Sequence, residues 1–128
     1  MSLYKVVKRV GVNLYSSCVY GEAQVLYLPG VEEEVWIEAP EWLAELGYYL
    51  TVFVDLDVAR NFAEQLYIVG EIWECDYGGV FVEEGNLPRC RSPYDVSMGV
   101  LGNKEFKWFP GTYMCERLRL IDLVERIR

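Results

Sequence analysis

Residues 47–66, GYYLTVFVDLDVARNFAEQL, constrain the fold more than any other part of the chain. The segment from Tyr48 to Val54 is apolar on both faces apart from Thr51, which predicts a strand that is covered on both sides. Asp55 or Asp57 can cap a helix that follows. Apolar side chains then recur at helical spacing, at Ala59, Phe62, Ala63 and Leu66. We therefore predict an interior strand with the next helix packed on the sheet.

The first twenty residues predict a hairpin. Three basic side chains are interspersed among five apolar ones from Leu3 to Val10, and we interpret this segment as a strand of period two with one solvated face near a sheet edge. Residues 11–13 have turn chemistry, so residues 14–20 are the expected partner strand. An edge strand over Leu3–Val10 could also join two copies of the chain, which is one hypothesis for self-association.

The remaining segments predict further strands and a second short helix. PEWLAELG has Pro40 at the first helical position and Gly47 as its stop. Gly78-Gly79 is expected to turn the chain. The final LRLIDLVERI also fits a helix, but we interpret it as a strand. The other expected strands are residues 24–28, 34–38, 71–77 and 105–109.

Together these patterns predict one α+β domain over residues 1–128, with a twisted, mostly antiparallel sheet and two short helices. An aromatic content of 15% agrees with a sheet-rich fold, because aromatic side chains pack well on a pleated surface. Residues 85–103 contain Gly, Pro, Asn and Ser without a clear period. Loops of that length are usually functional lids or disordered segments, and both alternatives stay open.

The net charge is −8, from 20 acidic and 12 basic side chains. A surface of that sign repels phosphate backbones, which disfavours nucleic acid as a partner unless Arg89 and Arg91 form a local basic patch. No segment resembles a signal peptide or a membrane span. We therefore expect a soluble, cytoplasmic protein with no membrane partner.

The chain has no histidine, so it lacks the commonest general base and the commonest transition-metal ligand. Its four cysteines, Cys18, Cys75, Cys90 and Cys115, contain no Cys-x-x-Cys pair, and we expect no metal site. Two interpretations stay open. Either three thiols are buried and one lies in a loop, or one or two disulfides form in an intracellular protein of a hyperthermophile.

Three stretches resemble the ADP-ribosyltransferase fold. GYYLTVFVDLDVARNFAEQ is similar to the family's strand-then-helix element, with Ala59 and Phe62 in its Ala-x-x-Phe pattern. NKEFKWFPGTYM resembles the late element in which a catalytic glutamate precedes a strand and a Pro-Gly-Thr turn. The opening LYKVV stands where family members begin with an aromatic residue followed by a basic one. The resemblance implies a split sheet that binds NAD in its cleft.

The resemblance also implies roles for four residues. Glu105 takes the place of the catalytic glutamate, which stabilises an oxocarbenium-like transition state as nicotinamide leaves. Lys5 and Thr51 would position NAD, and Tyr49 would stack on nicotinamide. Lys5 departs from the family pattern, because an amine lacks the two-pronged grip of a guanidinium on phosphate. Each of the others also has a structural interpretation: a strand-end ion pair for Glu105, a backbone hydrogen bond for Thr51 and core packing for Tyr49.

Nearly the whole chain resembles small uncharacterised proteins of bacteriophages and archaeal viruses. The shared features are an LYKVV-type opening strand, a GY-L-VF…A-x-x-FA core, a strand like IWEC and a late Pro-Gly-Thr. The resemblance implies a viral or archaeal accessory protein. We expect it to be non-catalytic, to use no cofactor and to act through a protein partner or self-association. The alternative is an ADP-ribosyltransferase-like enzyme that uses NAD, with Glu105 as its catalytic carboxylate.

Overall fold

The computed structural model describes residues 2–16, 26–27, 35–45, 49–65, 68–83 and 111–127. Within these ranges the strand pairings are antiparallel and belong to one seven-stranded sheet. The elements, in chain order, are β1 (Leu3–Val10), β2 (Asn13–Ser16), β3 (Leu26–Tyr27), β4 (Ile37–Glu38), α1 (Glu41–Glu45), β5 (Leu50–Phe53), α2 (Leu56–Gln65), β6 (Gly70–Glu83) and β7 (Thr112–Ile127).

Four of the strands form a closed cycle of pairings. β1 pairs with β6 along most of its length, β6 pairs with β7, and β7 pairs with β5. β5 returns to β1 through the pair Tyr4 and Phe53. β2 and β3 extend the sheet from β1, and β4 joins β7. The sheet therefore wraps round and has an inner and an outer face.

The two faces carry separate hydrophobic cores. We call the first the inner core; its buried members are Leu3, Val7, Leu14, Tyr27, Ile37, Leu50, Val52, Cys75, Cys115, Leu118 and Leu120. The second, the helix-side core, consists of Val6, Phe53, Ala59, Phe62, Ala63, Ile68 and Ile72. Successive residues of a strand point to opposite faces, so β1 contributes Leu3 and Val7 to the inner core and Val6 to the other.

The interior strand and its covering helix are confirmed. β5 lies between β1 and β7, and Leu50, Val52 and Phe53 are buried. α2 packs on this strand with the Phe53 and Phe62 rings 4.9 Å apart. Asp55 is the cap, because its Oδ1 accepts hydrogen bonds from the backbone N–H groups of Asp57 at 2.8 Å and Val58 at 3.3 Å.

β1 is confirmed as a strand, and so is its hairpin with β2, which closes at the pair Val10 and Asn13. The prediction that β1 lies near a sheet edge is wrong. One of its edges pairs with β6 and the other with β2 and β5. Lys5, in the middle of this strand, is buried. Leu3–Val10 is therefore not an edge through which two copies could pair.

β6 and β7 form the longest ladder, and bulges bend it. The prediction that Gly78-Gly79 turns the chain is wrong, since β6 continues to Glu83. The pairing register shifts between Gly78 and Phe81, and Gly79 has φ of 74°, so the glycines form a bulge. The final segment is a strand, as predicted, and it is continuous from Thr112 to Ile127.

The described chain is a mostly antiparallel, sheet-rich α+β structure, which confirms the coarse fold class. The prediction of two short helices is wrong in number. Only α2, with ten residues, is a helix of several turns. α1 has five residues, little more than one turn, and begins with the hydrogen bond from Ala44 N–H to the Pro40 carbonyl at 3.0 Å.

Several predicted features lie outside the described residues. They are Gly47, Tyr48, Leu66, Cys18, Cys90, Arg89, Arg91, the loop 85–103, the strand 105–109, and residues 17–20, 24–25, 28 and 34 of the expected strands. Val35 and Trp36, predicted in the strand 34–38, are described but lie before β4 and not in a strand. Among the described residues, no helix combines the length and apolar character that crossing a bilayer requires.

Candidate functional site

Lys5 is a buried amine at the centre of the ring of strands. It lies between Leu3 and Val7 on the inner face of β1 and is only 4% exposed. Its Nζ donates a hydrogen bond to the Thr51 carbonyl at 2.7 Å and stands 5.1 Å from the centre of the Tyr27 ring. A charged amine removed from water needs such partners to replace its hydration. The geometry gives Lys5 a structural task inside the sheet.

The structure brings two of the four predicted site residues together. Lys5 contacts Thr51 through the Thr51 backbone, whereas the Thr51 side chain shares the strand face of Phe53, which packs against α2. Tyr49 is half-buried directly before β5. Glu105 lies outside the described residues. The NAD-binding roles of Lys5, Tyr49 and Thr51 and the catalytic role of Glu105 stay predictions.

Cys75 and Cys115 are free thiols in the inner core. Burial raises the pKa of the Cys115 thiol to about 12, against a small opposing effect of Lys5. Burial likewise raises the pKa of the Cys75 thiol, and the nearby Cys115 raises it further. Because the thiolate is the reactive form, both residues are packing groups rather than nucleophiles. These two agree with the interpretation as buried thiols.

We predict that Cys75 and Cys115 resist alkylation in the folded protein. A raised folded-state pKa means that their contribution to stability is complete below the ordinary thiol pKa of 9.0 and is lost as pH rises through the folded values. Iodoacetamide at pH 8 should label them at least about a hundredfold more slowly in the folded than in the urea-unfolded protein. Mass spectrometry of the two peptides measures this. Equal labelling rates would contradict the burial.

Glu71 is a buried carboxylate that the sequence analysis missed. It is 1% exposed and lies on the inner face of β6 with Trp73 and Cys75. Arg9 Nε donates to its Oε2 at 3.0 Å, and the Arg9 terminal nitrogen also contacts that oxygen. The Trp73 indole donates to its Oε1 at 2.9 Å. Both carboxylate oxygens are thus bonded, as expected of a buried charge that holds β1 and β6 in register.

Three aromatic rings on the inner face form a row beside the inner core. The Tyr77 and Phe81 rings are 4.5 Å apart, and the Phe81 and Tyr113 rings are stacked at 5.5 Å. Phe81 and Tyr113 pack on the inner core, while Tyr77 is 40% exposed. The row spans the Gly78-Gly79 bulge, from Tyr77 before it to Phe81 after it, and joins β6 to β7 through Tyr113. It contributes dispersion and stacking to the hairpin.

A groove of about 300 Å³ lies between α2 and the end of β7. Its floor is apolar and its rim is charged; it is lined by Arg60, Ala63, Glu64, Ile68, Glu125, Arg126 and Ile127. Arg60 donates to Glu125 at 2.8 Å and to Asp57 at 3.1 Å. Two arginines and two glutamates balance one another on this rim, so the groove favours neither sign of charge.

Two guanidinium groups lie close to the ring of a surface tryptophan. Trp36, just before β4, is 39% exposed, and its ring centre lies 5.9 Å from Arg117 Cζ and 5.4 Å from Arg119 Cζ. Arg119 pairs with Asp76 at 3.1 Å. Within the described part of the chain, no carboxylate is within ion-pairing distance of Arg117. We call Trp36, Arg117 and Arg119 the tryptophan–arginine patch. In the sequence, the indication of this patch is that Arg117 and Arg119 stand two positions apart in a strand.

No metal centre is formed by these groups: in the described ranges, no three acidic or cysteine side chains are arranged to hold an ion. Comparison with known proteins gave no match to a family model, to a curated protein or to a solved structure. The tryptophan–arginine patch is the described feature most suited to binding a partner.

Proposed function

We propose that this chain is a viral or archaeal accessory protein that acts without catalysis, through protein contacts, inside the host cell. The observation that carries the proposal is the tryptophan–arginine patch. Tryptophan and arginine are the residue types most enriched at the energetic centres of protein interfaces. A partly exposed indole beside two guanidinium groups presents a large, rigid contact at low entropic cost. The resemblance of nearly the whole chain to small uncharacterised proteins of bacteriophages and archaeal viruses supports the viral context.

The state of Lys5 also supports a role without catalysis. A residue that anchors NAD phosphate must present its charge to the ligand, whereas Lys5 is 4% exposed and donates to the Thr51 carbonyl. The two described thiols have raised pKa values through burial, so they do not supply a nucleophile. These observations favour binding over chemistry.

The competing proposal is an ADP-ribosyltransferase-like enzyme. Its support is the order of the resembling stretches and the proximity of Lys5 to the Thr51 backbone. In that case Glu105 would be the catalytic carboxylate, and Lys5, Thr51 and Tyr49 would contact NAD. The wild type would release nicotinamide from NAD in host lysate, and Glu105→Gln would abolish the release.

We expect NAD to leave the melting temperature unchanged within about 1 °C at millimolar concentration. A ligand present at a hundred times its Kd adds about 2.7 kcal/mol to the free energy of unfolding, which would raise the melting temperature by several degrees. Differential scanning fluorimetry with NAD, and with ADP-ribose as a second ligand, measures this. A dose-dependent rise, or nicotinamide release that Glu105→Gln removes, would replace the non-catalytic proposal with the enzymatic one.

A further inference from the structure

We infer that the tryptophan–arginine patch binds a carboxylate of an acidic protein segment, with Arg117 as the residue that grips it. The inference rests on the proposed function and adds to it the chemistry of the partner. Arg119 already has an anionic partner in Asp76. Arg117 has none among the described residues, although its guanidinium is held in place over Trp36. One guanidinium is therefore positioned and uncompensated.

The position of Arg117 depends on Gly78. The two residues are opposite each other in the β6–β7 ladder. A Cβ at position 78 would lie 2.5 Å from Arg117 Nε and 3.2 Å from Arg117 Cζ. The Arg117 guanidinium thus fills the space that a side chain at position 78 would occupy. With the glycine surface beneath it and the Trp36 ring beside it, Arg117 is ordered before a ligand arrives, which lowers the entropic cost of binding.

The charge around the patch selects a singly charged carboxylate. Planar guanidinium groups bind carboxylates through two parallel hydrogen bonds. Arg117 and Arg119 bring two positive charges, and Asp76 neutralises one of them. Glu38 is exposed and lies opposite Arg117 in the β4–β7 register, where it adds a negative charge nearby without an ion pair to Arg117. These acids and the net charge of −8 repel a phosphate dianion more strongly than a singly charged carboxylate, so a carboxylate is the better partner for the Arg117 guanidinium, which has no ion pair among the described residues.

The test uses an acidic heptapeptide, GSELESG, and its matched amide version, GSQLQSG, in anisotropy titrations at low salt. Both carry the same N-terminal fluorescein and an amidated C-terminus, so the two peptides differ only in the glutamate carboxylates. We expect GSELESG to bind at least about tenfold more tightly than GSQLQSG. Hydrogen bonds to charged groups are stronger than neutral ones by an amount that corresponds to roughly a tenfold change in Kd. Arg117→Gln should weaken GSELESG binding by at least about tenfold and leave GSQLQSG unaffected. Arg60→Gln is the matched control, since Arg60 is an exposed arginine paired with Glu125 and Asp57, and it should change nothing.

Gly78→Ala tests the position of the Arg117 guanidinium separately from its charge. It keeps both arginines but displaces the Arg117 guanidinium, so we expect GSELESG binding to fall by about as much as in Arg117→Gln, with little change in melting temperature. Equal binding of the two peptides, wild-type binding by Arg117→Gln, or no binding would overturn the inference. Displacement of GSELESG by inorganic phosphate at lower concentration than acetate would assign the patch to phosphate and also overturn it.

These outcomes are separable from failure of the proposed function. Binding of both peptides alike, lost in Trp36→Ala, would keep the patch as a protein contact and remove the carboxylate. Nicotinamide release that depends on Glu105 would overturn the proposed function, whatever the peptides do.

Discussion

Replacing Gly70 by alanine is expected to destabilise the protein by roughly 3 kcal/mol, the upper part of the range for forced overpacking. A Cβ at position 70 would lie 1.8 Å from the Val7 carbonyl oxygen and 3.0 Å from Lys8 Cα. Both atoms belong to the backbone, so no side-chain rotation relieves the clash. β1 and β6 must separate where Lys8 pairs with Gly70, which also strains the Arg9 N–H to Val69 carbonyl bond of 3.0 Å.

Chemical denaturation of the wild type, Gly70→Ala and Gly78→Ala measures this effect. Gly78→Ala is the matched control, because its added Cβ meets only the end of the flexible Arg117 side chain and should cost less than about 1 kcal/mol. The melting temperature of Gly70→Ala should fall by roughly 10 °C. If both variants lose the same small amount, β1 and β6 do not approach as closely as the structure gives.

The interior strand and its helix could be predicted because their signals are local. A run of apolar residues, a capping aspartate and a stripe at helical spacing follow one another within twenty residues. Each signal depends on the neighbouring chain alone, and Asp55, Phe53 and Phe62 act in the structure as their spacing suggested. The strand character of the last segment was harder, because LRLIDLVERI carries both periods and only its pairing with β6 decides between them.

The position of Lys5 could not be predicted, because the sequence of a strand does not say what covers each of its faces. In β1, three basic residues are interspersed among five apolar ones, which suggested a half-solvated strand. The groups that contact the Lys5 amine are the Thr51 carbonyl of β5, 46 residues away in sequence, and the ring of Tyr27 from β3. Glu71 was missed for the same reason: its partner Arg9 is far away in sequence, and only the register of β1 on β6 brings them together.

The tryptophan–arginine patch could be predicted only in part from the sequence. Two arginines two residues apart in a strand share a face, so Arg117 and Arg119 could have been grouped from the sequence. Trp36 could not, because β4 reaches β7 across a long stretch of chain. Gly78-Gly79 suggested a turn, since glycine pairs usually mark one. In the structure the two glycines form a bulge, and Gly78 leaves space for the Arg117 side chain. This could not be predicted, because Arg117 belongs to the neighbouring strand β7.

Lys5→Ala is expected to lower the free energy of unfolding by roughly 3 kcal/mol, the cost of emptying a buried site of that size. The side chain is 4% exposed, in contact with the Thr51 carbonyl and the Tyr27 ring, so its stem fills space that alanine leaves open. Lys5→Met keeps the stem and removes the charge. Because replacing a buried charge by a well-packed apolar group is often neutral or stabilising, we expect this variant within about 1 kcal/mol of the wild type.

Urea denaturation of the two variants therefore separates packing from charge at position 5. A structural lysine predicts a large loss for Lys5→Ala and a small change for Lys5→Met, since methionine restores the volume inside the ring of strands. If Lys5 instead anchors NAD, Lys5→Ala and Lys5→Met would lose NAD affinity to a similar extent. Their free energies of unfolding would then differ little from each other. Should Lys5→Met lose as much stability as Lys5→Ala, the amine itself, through its bond to the Thr51 carbonyl, holds β1 against β5, and the charge is required at the centre of the fold.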